Sequence, residues 1–176
     1  MRPGRRMRTH LLGAARPVSL AAGIALAAVD AQAACPIQLA VYGEAQSGAE
    51  IDFTPAGTSA TITNAFRVIL DNNVVLDGIA MWTEGSAGRP HGSLMYKCPT
   101  GDVTGEELAA CTIWEGVIYS ADEKGGVGLL PAEGADAPKS LILPDLGPSL
   151  EMSAAYGPAG FSKVSWDIFV LKGCQE

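Results

Sequence analysis

The chain has 176 residues, 48% of them hydrophobic, with 19 acidic side chains against 12 basic ones and a formal net charge of −7. Such a surface repels phosphate backbones and anionic headgroups, which speaks against nucleic-acid binding and peripheral membrane attachment. Its four cysteines lack the two-to-four-residue spacing of a zinc site and form no Cys-x-x-Cys motif, so neither a structural metal nor a dithiol redox centre is expected.

Residues 1–33 read as a secretory signal. Arg2, Arg5, Arg6, Arg8 and Arg16 lead into the apolar run "VSLAAGIALAAV", which is too short to span a bilayer, and small residues at Ala31 and Ala33 suit a signal peptidase. Removing this segment takes 5 of the 12 Lys/Arg and one of the 19 acids, leaving 18 acids against 7 bases and a net charge of −11. Acidity of this size keeps an exported protein soluble. The expected location is periplasmic or secreted, with no transmembrane segment in the mature chain, and residues 34–176 suffice for a single domain with its own core.

Beyond the signal the apolar pattern is that of strands. "IQLAVYG" and "AEIDFTP" alternate around Ser47-Gly48 and predict a hairpin. "AFRVIL" and "VVLDGIAMW" predict another around Asp71-Asn72-Asn73, where Asn tolerates the positive φ of a tight turn. "GSLMYKC" is a further strand. Thr104, with Glu107 three residues on, has the capping-box arrangement and starts the one well-patterned helix, to about Ala110. "TIWEGVIYS" and "GVGLLP" predict a hairpin around "ADEKGG". In "SLILPDLGPSLEM" a strand is followed by Pro144, Gly147 and Pro148, which predict a degenerate second strand. In "SKVSWDIFVLKGC" Val164, Trp166, Ile168 and Val170 share one face, with Phe169 and Leu171 on the other, so a strand deep in the core is expected.

Cysteine spacing suggests an internal duplication. Cys35 to Cys98 and Cys111 to Cys174 are each 63 positions apart, and Ile37, Val41, Ala45 and Pro55-Ala56 match Ile113, Val117, Ala121 and Pro131-Ala132. The expected fold is therefore all-β: a pseudo-symmetric β-sandwich or barrel built from two similar units of about 64 residues (repeat 1, 35–98; repeat 2, 111–174) joined by one short helical linker, 99–110. In an oxidising compartment four cysteines read as two disulfides. The preferred pairing is Cys35 with Cys98 and Cys111 with Cys174, one bridge closing each unit. Cys98 with Cys111 and Cys35 with Cys174 is the alternative, since geometry decides which cysteines meet.

No cofactor site and no catalytic constellation emerges. Glu106 and Glu107 are helix neighbours about 100° apart and cannot flank one glycosidic bond. Asp122-Glu123 fits a hairpin tip, and Asp71-Asn72-Asn73 with Asp77 lacks the glycine and terminal glutamate of a calcium loop. His91 is the only histidine after the signal, and no Gly-x-Ser-x-Gly elbow accompanies it or Ser93. Trp82 and Tyr156 occupy matching places before Gly-rich turns, while Arg89 and His91 lie where the two units differ most. These four are the candidate ligand contacts. The reading is a non-catalytic binding or interaction module for a protein or saccharide partner. The alternatives are a small hydrolase using His91 or carboxylates brought together by folding, and a structural envelope component.

Overall fold

The strands follow from period-2 apolar patterning and arrange themselves around one interior. A computed structural model describes residues 35–83 and 88–175, so the expected signal segment lies outside the described residues. The described residues form ten strands: β1 Ala40–Gly43, β2 Glu50–Thr54, β3 Ile62–Ile69, β4 Val75–Trp82, β5 Pro90–Met95, β6 Thr112–Val117, β7 Tyr119–Ala121, β8 Val127–Leu129, β9 Ser140–Ile142 and β10 Ile168–Cys174. Two short α-helices, α1 Gly105–Cys111 and α2 Leu146–Glu151, complete the framework. No helix among the described residues is long and apolar enough to cross a membrane.

The strands pair antiparallel in the order β6-β5-β4-β3-β2-β1-β10-β9-β7-β8. β6 and β7 are separated only by Ile118, whose N–H donates to the Pro90 carbonyl (3.2 Å) and whose carbonyl accepts from Leu130 N–H (3.1 Å). One continuous stretch, 112–121, thus bonds to β5 at one end of the sheet order and to β9 near the other. The result is a nearly closed, barrel-like sheet, which leaves few unpaired edges.

The barrel interior is filled by side chains. Tyr42, Ile51, Phe53, Phe66, Leu76, Leu94, Trp114 and Phe169 are all buried. Facing rows trade large for small residues: Gly78 lies opposite Phe66, where a Cβ would collide with the ring. At Gly92 a Cβ would come within 2.6 Å of Ile118 Cδ1. Glycine here provides room for rings. The Tyr42 hydroxyl donates to the Pro138 carbonyl (2.9 Å), and burial pushes its pKa far up, so it stays neutral.

The predicted hairpins 37–55, 65–82 and 112–131 form, and Asn72 and Asn73 both take φ near 57°. Helix α1 begins with the expected capping box: Glu107 N–H donates to Thr104 Oγ1 (3.2 Å) and Thr104 N–H to Glu107 Oε2 (2.9 Å). Four expectations need correction. First, of the sandwich or barrel expected, the barrel-like form is present, as one curled sheet. The proposed units also pair differently: β1 to β5 form an uninterrupted meander, whereas the later strands straddle both ends of it.

Second, the disulfides are Cys35–Cys174 and Cys98–Cys111, with Cα separations of 5.7 and 5.2 Å, and not Cys35 with Cys98 and Cys111 with Cys174. β1 and β10 are direct neighbours, with Ala40 opposite Cys174, which brings the two chain ends of the barrel together. Likewise β5 pairs with β6, and Tyr96 N–H donates to the Cys111 carbonyl (2.9 Å), which places Cys98 beside Cys111. Strand adjacency, and not repeat boundaries, decides the pairing.

Third, 146–151 is a helix where a degenerate strand was expected. Pro148 falls in its first turn, where a missing N–H costs nothing. The Asp167 carboxylate accepts from the N–H groups of Asp145 (3.1 Å) and Gly147 (3.3 Å), capping the helix from a distant segment. Fourth, β10 buries only one face: Phe169 is inside while Ile168 and Val170 are exposed.

Candidate functional site

Along β10, β9 and β7 the inward row Phe169, Leu141 and Ser120 is buried. Directly opposed residues on neighbouring strands point to the same side, so the flanking rows face outward. One outward row is Ile168, Ile142, Tyr119 and Leu129; the other is Val170, Ser140, Ala121 and Val127. Ser140 and the Tyr119 hydroxyl are the only polar side-chain groups among these. Ile168 is 56% exposed, Val127 67%, and Trp166, two residues before Ile168, 55%. Antiparallel sheets with one wet face normally alternate apolar-in and polar-out. This quarter of the barrel breaks that rule.

The face has a concave edge. Gly88, Arg89, Tyr119, Val127, Gly128 and Leu129 line an open depression of about 350 Å³. Arg89 is fixed there: its N–H donates to Thr83 Oγ1 (3.0 Å), and Nη1 donates to the Tyr119 hydroxyl (3.0 Å). Of the four residues singled out in the sequence, Arg89 is thus part of the face. The rest of the face escaped notice because an apolar run on both sides of a strand reads equally well as burial. The usable signal was Ile168-x-Val170, an apolar row on the side of β10 opposite Phe169.

Trp82, His91 and Tyr156 are placed elsewhere. Trp82 closes β4 opposite Pro90 and is 40% exposed. His91 lies in β5 and not in a loop, half-buried between Met81 and Val117. Ser93 shares its outward face, but its hydroxyl is buried and directed 3.4 Å from Glu115 Oε1. Among the described residues no hydrogen bond joins His91 to Ser93 or to an acid. Tyr156 follows α2, at the end of the barrel beyond Met95, so the length of β5, about 20 Å for six residues, separates it from Trp82.

Other carboxylates serve local structure. Asp71 accepts from Ser162 Oγ (2.7 Å) and from the N–H groups of Ser162 (3.0 Å) and Lys163 (3.2 Å); the Ser162 hydroxyl, with these amides, holds its pKa below the ordinary value. Burial alone would raise Glu44, but the Ser47 hydroxyl and the Ser47 and Gln46 amides outweigh it and lower its pKa. Asp122 accepts from Lys124 and Gly126 N–H (2.8 and 2.7 Å) in the predicted hairpin tip. No group of three or more potential metal ligands occurs among the described residues. No family model, curated protein or solved structure matches this chain, and the exposed face has to be understood from its own chemistry.

Proposed function

We propose that the protein is an exported, non-catalytic interaction module that docks a protein partner on the outer face of β10, β9, β7 and β8. The observation that carries this reading is the exposure of Ile168, Val170 and Val127 on one quarter of a barrel whose interior is already filled. A contiguous apolar face of this kind on a soluble protein is a binding surface or an aggregation hazard. Trp, Tyr and Arg are the residues that dominate interface energetics, and Tyr119 and Arg89 border this face. Two disulfides fit an oxidising compartment.

The test is site-specific photocrosslinking in the native envelope, with a benzophenone side chain placed at Ile168, at Val127 or, as control, at Arg67 on the meander. The expected outcome is one partner captured from positions 168 and 127 and not from 67, lost when Val170→Lys is introduced. Equal capture from all three positions, or none, overturns the assignment.

A further inference from the structure

At the other end of the barrel, beyond β5, the geometry points to a second, independent site: a cleft that takes a saccharide bearing a carboxylate, a uronic acid unit. Tyr96, Lys97, Ala154, Tyr156, Gly157 and Gly160 line a depression of about 270 Å³. A neighbouring one of about 320 Å³ shares Tyr96, Ala154 and Ala155 with it, so the two form one groove. In a chain with 19 acids, no described residue lining either depression carries a carboxylate. Lys97 is the one charged residue lining them among the described residues.

Lys97 holds a left-handed backbone, φ 52°. The turn demands it, because the β5 ladder ends at Tyr96 N–H bonded to the Cys111 carbonyl and the chain must then reach Cys98, bridged to Cys111. Glycine or asparagine meets such a demand at less cost than lysine. Lysine instead places its ammonium 4.8 Å from the centroid of the Tyr96 ring, which lines the cleft with it.

Tyr156 supplies the second ring. It packs on the fully buried Phe161 at 5.5 Å between centroids, yet stays 40% exposed, so the core backs one side while another remains open. The loop is held in place: Asn72 Nδ2 donates to the Gly160 carbonyl (2.8 Å), and Asp71 accepts from Ser162 and Lys163 N–H. Gly160 approaches the Ala155 carbonyl too closely for any Cβ. Aromatic rings stack on the C–H faces of a pyranose, and a lone ammonium without competing carboxylates selects an acidic sugar over a neutral one. The adjoining depression accommodates a further unit of the same oligosaccharide.

The experiment titrates the purified oxidised protein with trigalacturonate, a neutral galactose trisaccharide and acetate, by calorimetry and by amide shifts at Gly157 and Gly160. Saturable trigalacturonate binding is expected, about tenfold tighter than the neutral trisaccharide, as one charge-assisted contact supplies. Lys97→Gly suits the local backbone and should keep the fold while losing about tenfold in affinity; Tyr156→Ala should weaken both sugars. Unchanged affinity in Lys97→Gly, equal binding of acid and neutral sugars, acetate binding as tight as the trimer, or no saturation by about 10 mM overturns the site.

Discussion

The meander β1 to β5 and the patch β7 to β10 share one interior but differ outside, where the meander mixes charged and apolar residues and the patch is almost wholly apolar. Across the meander an outward row runs Asp52, Arg67, Asp77, charged on three adjacent strands. Across the patch the equivalent rows are Ile168, Ile142, Tyr119, Leu129 and Val170, Ser140, Ala121, Val127. Folding needs only the inner rows, which both regions supply. The outer apolar rows are therefore surplus to the barrel, and surplus apolar surface is where a local rule is broken for a purpose outside the fold.

The sharpest contrasts come from substitutions on either side of this boundary. Removing the Cys35–Cys174 bridge, which spans 139 residues, should cost the most, about 5 kcal/mol by chain entropy, against about 3 kcal/mol for Cys98–Cys111, which spans 13. Urea unfolding of the two double-alanine variants measures the difference; equal losses would show that loop length is not what counts.

Phe169→Ala should cost about 3–5 kcal/mol, as for a buried ring, whereas Ile168→Ala, one residue away but outward, should change stability by less than about 0.5 kcal/mol. A large loss from Ile168→Ala would mean that the outer face supports the barrel itself and is not kept for a partner.

Lys97→Gly should raise stability by about 1 kcal/mol by removing a left-handed lysine, seen as a higher melting temperature. A lower one would place Lys97 among the stabilising contacts of the turn.

The smallest expected effect concerns Asp71. Its carboxyl is held below its ordinary pKa by the Ser162 hydroxyl and by the Ser162 and Lys163 amides. A depressed folded-state pKa adds stability that is fully present above the unfolded value, about 3.9, and is lost as pH falls through the lower folded value. Asp71→Asn should therefore weaken the protein slightly at neutral pH and flatten the acid limb of its stability curve below about pH 4. An unaltered acid limb would assign that limb to other carboxylates, Glu44 first among them.

Much of the local structure was legible because it depends on residues close together in the chain. Thr104 and Glu107 specify a capping box within one turn, and Asn72-Asn73 specify a tight reversal. Strand positions followed from alternation, and the even cysteine count from the expected compartment. The candidate site was legible only at Arg89. Its neighbours Tyr119, Val127, Leu129 and Ile168 come together although up to 49 positions separate them in sequence, which no local pattern encodes. Tyr156 was noticed, but Tyr96 and Lys97, which share its cleft, were not, because 59 positions separate Lys97 from Tyr156.

By itself the sequence determined an all-β chain with its turns, its capped helix and its acidic balance, since propensity, capping and charge are properties of a few neighbouring residues. Only the tertiary structure decided which cysteines pair, which face of β10 is wet and where α2 finds its cap. Each of these depends on which strands become neighbours when the sheet curls, and the partner that β10 brings to Cys35 is 139 positions away in sequence.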